Sequence, residues 1–145
     1  MTNIKLAIGS DHAGFALKEK ISKYLQKKGH EVKDFGCFSE ERADYADYAH
    51  AVANAVEKKD VQIGILLCGS GNGINMAANK HKGIRSALCW KREIAELARL
   101  HNDANILALP ARFIEEEEAY KCVDVFLATP FEGGRHVARV AKIDC

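Results

Sequence analysis

Cys68 ends the apolar run IGILLC, residues 63 to 68, and GSGNG follows it at once. A thiol in that place suits the chemistry of a base acting on a carbon acid. The backbone N–H groups of Gly69, Ser70, Gly71, Asn72 and Gly73 can line an oxyanion or enolate hole, and the positive end of a helix opening there favours the thiolate. The glycines at 69, 71 and 73 fall at alternate positions, so the loop is not the dinucleotide fingerprint GxGxxG, which needs glycine where Ile74 stands. The same spacing also suits a cysteine that ends a buried strand as inert core.

Three further groups carry candidate chemistry. Asp11 and His12 lie in GSDHAG, just past an apolar strand, where open α/β sheets place ligands. This is not a phosphate-binding P-loop, because Gly14 is followed by Phe15 and Ala16 rather than Lys and Ser or Thr. The competing reading is that Asp11 caps the following helix. His101, Asn102 and Asp103 form a short polar stretch between a helix and a strand, where the imidazole can exchange a proton near neutral pH or simply cap its helix. Arg135 and Arg139 are four positions apart, so their guanidinium groups leave one face of a terminal helix, near its N-terminal end, as two forks that suit a phosphate. The remaining histidines, His30, His50, His81 and His136, and the scattered cysteines have no spacing of a metal site, and none is implied.

The elements that must position these groups are legible as hydrophobic periodicity. IKLAI alternates as a strand, and Leu17, Ile21 and Leu25 follow at helical spacing until Gly29. EVKDF predicts a second strand, and Tyr45, Tyr48, Ala49, Val52 and Val56 the inner stripe of a second helix. VQIGILLC is apolar throughout, as a central strand covered on both faces must be. A helix around Asn75 to Lys80, strand IRSALC, helix REIAELARL, strand NILAL and a helix with Ala119, Cys122, Val123, Phe126 and Leu127 inward complete the alternation. Glu115 to Glu118 read as a solvated first helical turn, and FEGGRHVARVAKI as a loop and a last helix with no strand after it, a tail suited to packing on a partner. The expected fold is α/β: a single-domain, Rossmann-like three-layer sandwich over residues 1–145, with a five-stranded, mostly parallel sheet and a C-terminal helix. In such a sheet His101 lies on the opposite edge from Cys68 of its own chain, so the two can act together only if a second subunit supplies one of them.

Composition narrows the classes. A chain of 145 residues, 48% hydrophobic, can bury about 70% of the surface exposed on unfolding without disulfides or a structural metal. Its 21 basic and 20 acidic residues leave a formal charge of +1, with no global field to attract a nucleic-acid backbone or an anionic membrane. No apolar stretch reaches the roughly 20 residues of a membrane span. Five cysteines without CxxC spacing, and no leader-like start, point to a reduced, cytoplasmic protein.

Taken in order, GSDHAGF, DYADYA, CGSGNGI, AANKHKGIR, HNDAN and EGGRH resemble the ribose-5-phosphate isomerase B family, which includes galactose-6-phosphate isomerase subunits. The likeness spans nearly the whole chain. It implies interconversion of ribose 5-phosphate and ribulose 5-phosphate on a Rossmann-like fold, with no metal and no cofactor. By position, Cys68 resembles the family's base moving a proton between C2 and C1, Ser70 and the glycine loop its enediolate hole, and His101 the group that opens the furanose ring. Asp11, His12, Tyr45, Asn102, Arg112, Arg135 and Arg139 match positions that hold sugar hydroxyls or phosphate. The resemblance also implies a homodimer or homotetramer with active sites shared between subunits, which removes the obstacle to His101. This chain departs from the family pattern at Ala46, Ser70, Asn72 and Pro110–Ala111, where Pro, Thr, Val and a Gly are the commoner residues. Ser70 and Asn72 line the substrate loop, so the departures bear on sugar length more than on reaction type. A six-carbon substrate such as allose or galactose 6-phosphate, a non-catalytic phosphosugar or nucleotide sensor, and a thiol redox protein built on Cys68 are the alternatives.

Overall fold

The structure is a computed structural model, and it describes residues 3–145; Met1 and Thr2 lie outside the described residues. Eleven elements alternate along the chain. They are β1 (Lys5–Ser10), α1 (Phe15–Lys27), β2 (Glu31–Asp34), α2 (Tyr45–Glu57), β3 (Ile63–Cys68), α3 (Asn72–Ala78), β4 (Ser86–Leu88), α4 (Arg92–Asn102), β5 (Ile106–Pro110), α5 (Glu116–Ala128) and α6 (His136–Ala141). The five strands form one sheet in the order β2-β1-β3-β5-β4, with every pairing parallel. The sheet is therefore fully rather than mostly parallel. No helix among the described residues is long and apolar enough to cross a membrane.

Alternation along the strands builds two core layers. Leu6, Ile8, Ile65, Leu67, Leu107 and Leu109 face Ile21 and Leu25 of α1, Ala95 and Ala98 of α4, and Val123 and Phe126 of α5. Their intervening neighbours Ala7, Leu66, Cys68, Ile106 and Ala108 face Ala49, Val52 and Val56 of α2 and Ile74 and Ala78 of α3. Helices thus cover both faces, as parallel βαβ units require, and β3 sits in the middle with almost no exposed surface.

Two boundaries differ from the periodicity. The third helix begins at Asn72 rather than near Asn75, because Gly71 turns the chain in the left-handed region (φ 79°) and Ser70 Oγ accepts the Asn72 N–H at 3.2 Å, closing a turn that starts the helix early. Tyr45, placed in the buried stripe of α2, is the first residue of that helix and is 44% exposed.

Lys18 is a departure from the expectation that charged residues stay outside. Its side chain is fully buried at the start of α1, with Nζ 2.6 Å from Asp34 Oδ2 and 2.9 Å from Glu19 Oε1. Asp34 Oδ1 in turn accepts the Gly36 N–H at 2.8 Å, while Gly36 O accepts from Ser10 N and Ser10 O accepts from Cys37 N. The buried ion pair therefore braces the segment after β2 against the end of β1, where Asp11 and His12 follow.

Two predictions test this packing. A methyl group on Gly14 would lie 2.7 Å from Leu67 Cβ and 2.8 Å from Leu67 O, so it meets strand backbone that cannot yield. Gly14→Ala is expected to destabilise the fold by about 1–3 kcal/mol, read as a lower urea midpoint, and an unchanged midpoint would contradict the close approach of α1 to β3. Burial pushes the thiols of Cys89 and Cys122 up to about 12, with Cys122 adding to the effect on Cys89, and Glu118 and Glu93 to that on Cys122. Alkylation at pH 8 is therefore expected to label exposed Cys145 quickly and to reach Cys89 and Cys122 only after unfolding, as mass mapping of the labelled peptides would show.

Candidate active site

The carboxyl ends of β1, β3 and β5 meet on one edge of the sheet, and backbone hydrogen bonds tie their loops together. Asp11 N donates to Leu67 O at 3.3 Å, Ala111 N to Cys68 O at 2.9 Å, and Arg112 N to Gly69 O at 3.0 Å. The thiol of Cys68 ends β3 at 5% exposure, inside the junction these bonds create. The Arg112 side chain crosses the loop just beyond it: a Cβ built on Gly69 would stand 3.2 Å from its Nη1. Gly73 is covered in the same way by Tyr45, whose ring atoms lie 2.6 Å from where a Cβ would be. Arg112 and Tyr45, from elements distant in sequence, thus cover the two ends of the loop that follows Cys68.

Asp11 and His12 close the other side. Asp11 is 7% exposed, and its Oδ1 accepts the N–H groups of Ala13 at 3.0 Å and Gly14 at 3.2 Å. These bonds close a turn ahead of α1, whose cap residue is Gly14 with no side-chain cap bond, so Asp11 shapes the turn before the helix rather than capping it, and the turn occupies Oδ1. His12 Nδ1 lies 3.1 Å from Ala43 N and 3.3 Å from Ala43 O, so it can accept from the amide or donate to the carbonyl according to the tautomer. The loop before α2 thereby holds the imidazole at the sheet edge.

The amide hole is smaller than the loop sequence implies. Asn72 N–H is spent on Ser70 Oγ, so it is not a donor for an oxyanion in this conformation. Among the described residues, the amides of Ser70, Gly71 and Gly73 have no backbone acceptor outside regular secondary structure. Ser70 acts here by shaping the loop, with its hydroxyl turned back onto the backbone.

His101, Asn102, Arg135 and Arg139 gather elsewhere. His101 and Asn102 finish α4, whose end precedes the amino end of β5; the residue pairing Cys68 opposite Pro110 and Gly64 opposite Ile106 puts the length of β5, about 16 Å, between that edge and the thiol. Arg135 is the residue before α6, and Arg139 lies in the last rather than the first turn of this six-residue helix. The segment is fastened to α4 by Glu132 N, which donates to Leu100 O at 3.1 Å, and by His136, whose ring stacks on His101 with centroids 4.3 Å apart. Arg135 Nη1 lies 3.8 Å from Glu132 Oε1 with its side chain 68% exposed. One chain therefore holds the candidate residues in two separate groups, a buried thiol edge and an exposed histidine–arginine arm.

Sequence reasoning missed Glu132, His136 and Lys18. Glu132 and His136 are four apart, which signals a shared helical face, but only the tertiary contact of α6 with α4 brings His101 to them. Lys18 stands at helical spacing with Ser22 and Leu25, both buried, and that spacing was the available signal for its burial.

Comparison with known proteins matches this geometry to one group. The family model described as Ribose/Galactose Isomerase covers residues 6–143. Ribose-5-phosphate isomerase B of Escherichia coli (strain K12) is 48% identical over 96% of this chain and 93% of its own length. The crystal structure of a ribose 5-phosphate isomerase from Thermotoga maritima superposes with a TM-score of 0.97 at 54% identity, covering 99% of both chains. That of ribose-5-phosphate isomerase B from Mycoplasma genitalium, with bound ribulose-5-phosphate, superposes with a TM-score of 0.92 at 44% identity, over 99% of this chain and 95% of that one. The fold, the thiol edge and the extent of these matches together identify the chain as a member of the ribose/galactose isomerase family.

Proposed function

We propose that the thiol edge carries proton transfer between C2 and C1 of a pentose 5-phosphate. The chain is an aldose–ketose isomerase that interconverts D-ribose 5-phosphate and D-ribulose 5-phosphate. The observation that carries this reading is Cys68 at the end of β3, 5% exposed, with unengaged loop amides after it and the Arg112 side chain across Gly69.

Each group has a role that its position supports. Protonated His101 gives a proton to the ring oxygen as the bond from C1 breaks, and the C1 hydroxyl passes its own proton to water, leaving the open aldehyde and a neutral imidazole. The Cys68 thiolate then takes the C2 proton, the electron pair forms the C1–C2 double bond, and the amides of Ser70, Gly71 and Gly73 hold the resulting enediolate oxygen. Return of the proton from sulfur to C1, with the O2 proton passing to O1, gives the ketose. No redox partner is needed, since the aldehyde is reduced as the C2 alcohol is oxidised in one molecule. Asp11, His12 and Tyr45 rim the thiol edge and hold sugar hydroxyls. Asn102 holds the sugar from the other half-site, while Arg112, Arg135 and Arg139 hold the phosphate. Asn72 keeps its place in the loop wall as a residue facing the sugar, not as an amide donor.

The distance between half-sites requires a second copy of the chain, so that the histidine–arginine arm of one subunit completes the thiol edge of another. A homodimer is the smallest assembly that achieves this, with two equivalent sites.

Four measurements test the reading. Cys68→Ala is expected to abolish ketose formation from ribose 5-phosphate while leaving the fold and ligand binding in place; a variant that keeps its turnover removes the thiol from the mechanism. Allose 6-phosphate, run as a competing substrate, ranks the sugar lengths. Arg139→Ala is expected to raise KM with little change in kcat, and a large fall in kcat at unchanged KM would speak against a simple phosphate contact. For the shared site, Cys68→Ala and His101→Ala chains, each inactive alone, are expected to recover up to about a quarter of the wild-type rate when unfolded together and refolded as mixed dimers. No recovery from well-folded mixtures would place both groups in one chain.

A further inference from the structure

We propose that His101, Glu132 and His136 form a binding site for a divalent transition-metal ion such as Zn²⁺, and that the bound ion inhibits the isomerase by taking His101 out of the reaction. The second half rests on the role given to His101 above. The first half stands on geometry alone.

One ligand atom from each residue lies within 4.8 Å of the other two. His101 Nε2 is 3.9 Å and His136 Nε2 3.8 Å from the same oxygen, Glu132 Oε2. Ligand atoms around a tetrahedral zinc stand about 3.4 Å apart, given metal–ligand distances of about 2.0–2.2 Å, so the two His–Glu separations need to close by only about half an ångström and the His–His separation by no more than about 1.4 Å. Two imidazoles and a carboxylate are a donor set that suits zinc and leaves a fourth position for water.

A second observation points to a ligand independently. His136 has a side chain only 5% exposed, and its Nε2 is buried without any hydrogen-bond partner. A buried polar nitrogen left unpaired is costly, and the carboxylate oxygen at 3.8 Å is too far to pair with it. A metal ion between them satisfies the nitrogen and the oxygen at once. Burial lowers the pKa of His136, as do the nearby charges of Arg135, His101 and Arg139, with Glu132 opposing.

The surrounding structure permits the movement. Glu132 is tied at its backbone to Leu100, next to His101, so the carboxylate enters the cluster from a fixed anchor. The two rings stack with an interplanar angle of 17°, which sends their Nε2 lone pairs out side by side; binding requires the rings to splay. His101, at 38% side-chain exposure, has the space to turn, while buried His136 supplies the fixed ligand. Arg135, 3.8 Å from Glu132 Oε1, competes for the carboxylate and must swing outward, as its exposure allows. A bound ion also places charge where Arg135 and Arg139 receive phosphate, so metal and phosphosugar share one region of surface.

The test uses the full chain with Cys145→Ser, which removes the exposed thiol as a competing zinc ligand. Zn²⁺ is titrated by calorimetry and Co²⁺ by visible ligand-field absorption, and turnover of ribose 5-phosphate is followed in parallel. One metal ion per chain is expected, with affinity reduced about 10-fold or more in His136→Gln and in Glu132→Gln, and with zinc inhibition weakened by the same factor. Glu132 is exposed, so its variant keeps the test open if His136→Gln does not fold. Full metal affinity in both variants overturns the site, whereas zinc inhibition that persists unchanged in them overturns the inhibitory half and points to an ion acting at Cys68. Metal binding that depends on Glu132 and His136 but leaves turnover intact overturns the inhibitory half, and with it the part assigned to His101, while the site itself stands.

Discussion

The carbonyl groups at the end of β3 govern the arrangement of everything around them. In a parallel sheet the last carbonyls of a central strand have lost their ladder partners but remain buried, and an unpaired buried carbonyl is costly. Leu67, Cys68 and Gly69 solve this by accepting N–H groups from Asp11, Ala111 and Arg112. The loop after β1 and the loop after β5 are thereby drawn onto β3 from its two sides. Cys68 is enclosed as a result of backbone satisfaction, and the side chains following each donating amide, His12 and Arg112 among them, are delivered to its rim. Strand order reinforces this, because β1 and β5 are the two neighbours of β3, whereas β2 and β4 lie at the margins.

The same parallel geometry that assembles the thiol edge excludes His101 from it. Every helix returning to start a new strand ends on the far edge, so a residue closing α4 is held away by the full length of β5. α6 then follows α4 rather than the sheet, since among the described residues there is no sixth strand to draw it back. Three exposed cations, Arg135, Arg139 and Lys142, end on that arm. On a molecule of net charge +1, local concentration of this kind, and not an overall field, is what can capture an anionic sugar.

Fold class and strand number were legible because apolar alternation and helical stripes are local properties, set by which neighbours in sequence share a face. Leu6 and Ile8 or Val52 and Val56 announce their side of the sheet without tertiary information. Strand order was not legible: the apolar run of β5 looks the same whether it lies inside or outside β4, and the choice depends on how α3 and α4 cross the sheet. The candidate site divides in the same way. Cys68 and the glycine loop could be read from one strand–turn–helix unit, and the resemblance supplied Tyr45 and Arg112, whose contacts with Gly73 and Gly69 come from distant elements. What remained hidden were side chains acting on backbone or on one another: Ser70 capturing the Asn72 amide, Lys18 buried against Asp34, and His136 stacked on His101. Each is decided by a rotamer or a tertiary contact, and no residue-type pattern specifies either.

The two half-sites also differ in rigidity, and the difference matches the tasks assigned to them. Stabilising an enediolate depends on donors already aimed at the developing charge, since dipoles that must reorganise lose most of their effect. Asp11, Cys68 and the turn at Gly71 are buried in the core of the molecule and held by backbone bonds from three strands' loops. Holding a phosphate is less exacting, because attraction between full charges falls off slowly with distance and guanidinium forks can engage from several directions. Arg135 and Arg139 are exposed side chains on a short terminal helix with a narrow attachment to α4. In the proposed function, with bond rearrangement on the fixed edge and charge capture on the adaptable arm, the arm would seat substrates without disturbing the geometry that proton transfer needs. It also leaves His101, at the root of that arm, as the group whose orientation is most open to what binds beside it.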